Sequence, residues 1–133
     1  FNVVISPSDS NAVWSMGLDI AESDAGAPSQ GRHLFRSVDG GLTFERAFDQ
    51  TAEVTLVNGP TMAVHPTDPD VVYFVFGTWF GNYGTDLYRL DGATGQLTFT
   101  HNAAYHGLRA IEFSPADPSV MYLGLVHVQA SGF

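Results

Sequence analysis

The sequence predicts an all-β fold of repeated four-stranded units, on three observations. One segment recurs three times, a second recurs twice behind it, and the apolar runs are rich in β-branched and aromatic residues. The first recurrence aligns "ISPSDSNAVWSMG" from Ile5, "VHPTDPDVVYFVF" from Val64 and "FSPADPSVMYLGL" from Phe113 without gaps. Pro7, Pro66 and Pro115 coincide, as do Asp9, Asp68 and Asp117, and the aromatics Trp14, Tyr73 and Tyr122. Each copy reads as strand, turn, strand, because Pro presets one backbone angle and Asp accepts neighbouring amides. These aspartates are expected to shape turns, not to catalyse.

The second recurrence pairs "GRHLFRSVDGGLTFERAF" with "TDLYRLDGATGQLTFTHN". Both carry Leu-aromatic-Arg, then Asp-Gly, then Leu-Thr-Phe, which adds two strands to each of the first two units. In order, unit one has strands near 1–6, 12–18, 32–38 and 42–48, and unit two near 61–65, 71–77, 86–91 and 96–101. A third unit opens with strands near 108–114 and 120–128. No helix is expected, since Gly and Pro recur throughout. Four-stranded units repeating at about 40–50 residues predict β-propeller blades. The single partial domain 1–133 then divides into blade one (1–59), blade two (60–107) and half of blade three (108–133).

About two and a half blades cannot close a ring of roughly four to eight. The chain is therefore expected to be a fragment of a larger propeller, its partners the remaining blades or a complementary chain. Closure by oligomerisation, as in a small lectin, is the alternative. The first residue is Phe1, and "FNVVISP" has neither a basic leader nor a small-residue cleavage site, so processing or truncation is expected to precede it.

Composition excludes several classes. The 133 residues are 44% hydrophobic and 14% charged, too apolar for disorder and too interrupted by Gly and Pro for a membrane-spanning helix. Five basic against fourteen acidic residues give a formal charge of −9, with no Lys/Arg cluster to meet a phosphate backbone, so no nucleic-acid partner is expected. Cysteine is absent, which excludes disulfides, thiolate metal sites and Cys nucleophiles.

Ser37, Asp39, Gly41, Thr43 and Phe44 in "SVDGGLTF" occupy the fixed positions of Ser-x-Asp-x-Gly-x-Thr-aromatic. The stretch resembles the Asp-box, or bacterial neuraminidase repeat. Asp91, Gly95, Thr98 and Phe99 look like a degenerate second copy, with Leu90 in place of the leading Ser and a longer turn. The Pro-x-Asp segments are similar to those of sialidase-like, xyloglucanase-type and sortilin-type propellers. The resemblance implies a secreted or cell-envelope (periplasmic) protein, and places the Asp-box in the hairpin between the third and fourth strands of a blade, away from ligand. Independently, local side-chain-to-backbone bonds account for Asp39 as a turn former, with Phe44 packing beneath.

By strand order, the Asp-box and Pro-x-Asp turns share one face, and function is sought on the second, in the long connections 18–31, 48–59, 77–86 and 100–107. Trp79, Asn82, Tyr83 and Asp86 would suit a glycan platform, with Tyr105, His106 and His101 as a further groove; packing against a neighbouring blade is the competing reading of the aromatics. Asp19, Asp24 and Asp86 are the weak candidates for a glycosidase carboxylate pair. Asp19, Glu22 and Asp24 could ligate Ca²⁺, but match no dedicated calcium loop; no other cofactor or metal is expected. The Phe/Tyr-Arg-Ile-Pro motif of sialidases is absent, the nearest runs being Phe35-Arg36-Ser37 and Tyr88-Arg89-Leu90. The leading expectation is a binding or scaffold module for glycan or protein. A sialidase-like or xyloglucanase-like glycoside hydrolase is its rival.

Overall fold

Period-two burial and cross-strand hydrogen bonding build the chain into antiparallel sheets. The computed structural model describes residues 2–51, 54, 56, 61–75, 87–100 and 106–127. The first sheet is ordered β1 (Asn2–Ile5), β2 (Val13–Leu18), β3 (Arg32–Ser37), β4 (Glu45–Asp49), with helix α1 (Ile20–Asp24) between β2 and β3. The second is ordered β5 (Met62–His65), β6 (Asp68–Val75), β7 (Leu87–Asp91), β8 (Gln96–Thr100). A third pairs β9 (His106–Phe113) with β10 (Met121–His127). Each strand lies beside its sequence neighbour, and all pairings are antiparallel. The all-β, four-stranded expectation holds at this level.

Three local features differ from the sequence reading. Helix α1 forms where none was expected, because the Asp19 side chain caps it by accepting the Glu22 N–H at 3.1 Å. Strand β4 begins at Glu45 rather than residue 42, since the Asp39 turn bonds backbone as far as Thr43. Strand β6 begins at Asp68, already paired with His65 across a two-residue turn.

The main core lies between the first two sheets. Trp14, Met16 and Leu34 from the first pack with Met62, Val64, Val72, Phe74, Tyr88 and Leu90 from the second. Trp14 is fully buried and its indole N–H donates to the Pro69 carbonyl at 3.0 Å. Beside it, Arg36 lies over the Trp14 ring at 5.7 Å and pairs with Asp70 of the second sheet. A smaller cluster, Val75 and Ile111 with Ala63, Tyr73, Leu87 and Met121, joins the second and third sheets. Here Tyr73 meets Phe113 edge-on at 5.5 Å.

Trp14 and Tyr73, aligned in the sequence repeat, thus serve the same role: each turns from its own sheet onto the following one. Tyr122 aligns with both and is 61% exposed. The opening strands also gather, β1 beside β5 and β5 beside β9. Between them is a cavity of about 360 Å³ whose lining includes Pro7, Pro66 and Pro115.

Candidate functional site

Strand register gives the first sheet two chemically distinct ends. At one, Ile5, Val13 and Ser37 align across β1, β2 and β3, and the turns 6–12 and 38–44 meet through the Gly40 N–H and the Asn11 carbonyl at 2.9 Å. At the other, Leu18 pairs with Arg32 and His33 with Asp49, and the connection carrying α1 folds back. The two ends differ in what their charges do.

At the turn end, charges organise backbone. Ser37 Oγ donates to Asp39 Oδ1 at 2.7 Å, the Thr43 N–H to Oδ1 at 2.9 Å and the Thr43 hydroxyl to Oδ2 at 2.6 Å. The Gly41 N–H donates back to Ser37 Oγ at 2.9 Å. Gly40 and Gly41 take φ values of 74° and 89°, which a Cβ would oppose. Phe44 sets its ring against the turn at Gly41, where a Cβ would meet it at 3.8 Å, but stays 45% exposed and borders a shallow apolar hollow with Ser15, Gly17 and Phe35. In the second sheet, Asp91 accepts the N–H groups of Ala93 and Thr94 at 3.0 Å each, while Gly95 has φ 72° and Thr98 is exposed. Asp9, Asp68 and Asp117 each accept the N–H two residues on, at 2.9, 3.1 and 3.0 Å.

The Thr43 hydroxyl, the Thr43 N–H and then Ser37 hold the Asp39 carboxyl down to about 2. Because the folded value lies below that of a free carboxylate, its contribution to stability is present above roughly pH 4 and disappears as pH falls toward 2. Asp39→Asn is therefore expected to melt at lower temperature than wild type near neutrality, the gap closing between about pH 4 and pH 2. A gap independent of pH in a calorimetric series would refute the charge-based account.

At the opposite end, charges organise side chains. His33 is fully buried, with Nδ1 at 2.7 Å from Asp49 Oδ1 and Nε2 at 3.0 Å from Glu22 Oε2, the latter off the axis of a linear hydrogen bond. Glu22 also accepts from Arg46 at 2.5 Å and from the Ser29 hydroxyl at 3.2 Å. Arg46 reaches Asp19 at 3.6 Å. The Arg46 hydrogen bond keeps the Glu22 carboxyl below its ordinary range, against a smaller opposing effect of burial. Reciprocally, hydrogen bonding to Glu22 raises the Arg46 guanidinium.

Of the expected site residues, this end brings together Asp19 and Glu22; Asp24 is exposed at the end of α1. Asp19 Oδ1 is used as a helix cap, and both Glu22 oxygens face donors, so the three carboxyls do not converge. Among the described residues, no group of three or more His, Cys, Asp or Glu side chains could hold a metal ion. Trp79, Asn82, Tyr83, Asp86, His101 and Tyr105 lie outside the described residues, and His106 is described only as the first residue of β9. The side chain of Phe99, within β8, also lies outside the description.

Sequence reasoning missed His33, Arg46, Asp49 and Ser29. The available signal was a histidine at the start of a strand with an arginine and an aspartate in the strand that follows. What hid it was the register. A bulge at Leu34/Phe35 makes His33 face Asp49 and Leu34 face Phe48, leaving Ala47 as the extra residue.

No protein-family model matches the chain. A curated relative does. Over 129 residues, 97% of the chain, it is 50% identical to the dispase autolysis-inducing protein of Streptomyces mobaraensis. The match occupies 34% of that protein, so the chain spans about a third of its length.

Proposed function

We propose that this chain is a segment of an Asp-box β-propeller that acts as a binding module for a protease, favouring the protease's self-digestion. The observation that carries this reading is 50% identity across nearly the whole chain to a protein named for inducing autolysis of dispase. Such an activity needs no catalytic group here: binding that stabilises a cleavable conformation of the protease is sufficient. On this reading the chain acts in the secreted or envelope compartment, as the Asp-box resemblance implies.

The propeller part of the reading is supported by the adjacency of β1, β5 and β9, and by Trp14 and Tyr73 reaching onto the following sheet. The exposed Tyr122, and Val3 and Ile5 at 60% and 61% exposure, suit faces that further blades cover. Protein recognition then falls to the end of the sheet away from the Asp-box, around α1, Asp49 and the connections near them.

The test is to incubate the intact protein with dispase and follow intact protease and its fragments by electrophoresis and mass spectrometry. Faster fragmentation is expected than with protease alone, together with binding to inhibitor-blocked protease that leaves it uncut. Unchanged fragmentation combined with no binding would overturn the proposal. Turnover of sialosides or β-glucans by the same preparation would favour a hydrolase instead.

A further inference from the structure

We propose that the cavity among β1, β5 and β9 receives an extended peptide segment of a protein partner, held by strand addition to β5 and selected by Glu112. Each of these strands ends its sheet, so each has one side without a hydrogen-bonded strand among the described residues. Register decides which groups face that open side. In β1 the Ser6 N–H bonds to the Ala12 carbonyl, and ladder bonds fall on alternate residue pairs, so Val4 bonds to Trp14 while Val3 and Ile5 turn their backbone groups outward. The Val75 N–H bonds to the Thr61 carbonyl and the Ser114 N–H to the Val120 carbonyl. By the same alternation, Met62 and Val64 of β5 and Ile111 and Phe113 of β9 face outward.

Five of these six residues line the cavity: Ile5, Met62, Val64, Ile111 and Phe113. The side chains of Met62, Val64 and Ile111 are committed to the cores between the sheets, so what these residues present to the cavity is backbone. The wall therefore offers N–H and C=O groups at every second residue, the pattern that an added strand satisfies. Ile5 and Phe113 supply apolar surface beside it. A volume of about 360 Å³ falls within the range of ligand sites. The central edge, β5, is four residues long and Pro66 follows it directly after His65, which limits the added segment to about three or four residues.

Charge selects among such segments. Glu112 is the one charged side chain among the described lining residues, it is exposed, and no ion pair among the described residues engages it. The formal charge of −9 acts in the same direction. A segment that carries a basic residue beside apolar ones is favoured, and an acidic one is repelled. The site lies apart from the α1 end and stands independently of the protease reading.

Amide NMR of the ¹⁵N-labelled intact protein tests this with blocked tripeptides. Acetyl-Thr-Val-Lys-amide, whose Thr and Val favour extended backbone, is expected to shift the Met62 and Val64 amide signals and to give intermolecular Overhauser contacts to the Val64 backbone. The same peptide methylated at its backbone nitrogens keeps its side chains and loses its donors, and should bind about tenfold more weakly. Acetyl-Thr-Val-Glu-amide should bind about fivefold more weakly than the Lys peptide, and Glu112→Gln should level the two. Unmoved Met62 and Val64 signals at about 10 mM Lys peptide, or equal binding of its methylated form, would overturn strand addition. A preference for Lys over Glu that persists in Glu112→Gln would overturn the role given to Glu112.

Discussion

Trp14→Ala is expected to lower the unfolding free energy by about 3–5 kcal/mol, the range for truncating a large buried aromatic. The indole is wholly enclosed between the first two sheets. Its loss removes apolar contacts on both sides, leaves the Pro69 carbonyl without its donor, and uncovers the aliphatic stem of Arg36. The site collapses poorly. Gly92 already approaches so closely that a Cβ there would meet Trp14 Cη2 at 2.5 Å, which places backbone, not a mobile side chain, at the cavity wall. Trp14→Phe should recover most of the packing and leave chiefly the unsatisfied carbonyl, a cost of about 1–3 kcal/mol. Urea titration followed by circular dichroism measures both. A loss under about 1 kcal/mol for Trp14→Ala would mean that the sheets are held together elsewhere.

Gly31→Ala is expected to be the most damaging single change at the α1 end. Gly31 has φ 72°, where an alanine costs about 1 kcal/mol in backbone strain. A Cβ there would also overlap the Asp19 carbonyl oxygen and stand 3.0 Å from the Ser23 nitrogen. That carbonyl accepts the Ser23 N–H in the first turn of α1, and the Asp19 N–H donates to the Gly31 carbonyl at 2.7 Å, so relief of the overlap must break the closure of the loop. Overpacking of this kind adds about 1–3 kcal/mol. Gly26→Ala supplies the control, since its φ is 69° and a Cβ there would meet nothing within 4 Å. Gly31→Ala should therefore lose clearly more stability than Gly26→Ala and expose residues 19–31 to limited proteolysis. Equal effects of the two would show that backbone strain alone acts at Gly31.

These two sites also mark how far residues could be read without coordinates. The aligned Pro-x-Asp segments specified the junctions after β1, β5 and β9 and the starts of β2 and β10, though not that of β6, which begins inside its segment at Asp68, because Pro and Asp act on backbone within a few residues of themselves. Helix α1 escaped because its cap and its five residues carry no apolar period, and its short length leaves nothing for a pattern to repeat. The His33 cluster escaped for a different reason: its members are drawn from β3, β4 and the α1 connection, and are aligned by a one-residue bulge.

By itself, then, the sequence determined an all-β chain of repeated antiparallel units, the positions of most strands, and turns closed by Asp9, Asp39, Asp68, Asp91 and Asp117. Each of these depends on interactions spanning a few residues, whose chemistry is present in the local string. Only the tertiary structure decided that Trp14 bridges to Pro69, that Arg36 finds Asp70, and that His33 lies between Glu22 and Asp49. Those contacts depend on sheet-to-sheet packing and on strand register, and a shift of one residue in register turns a side chain to the opposite face.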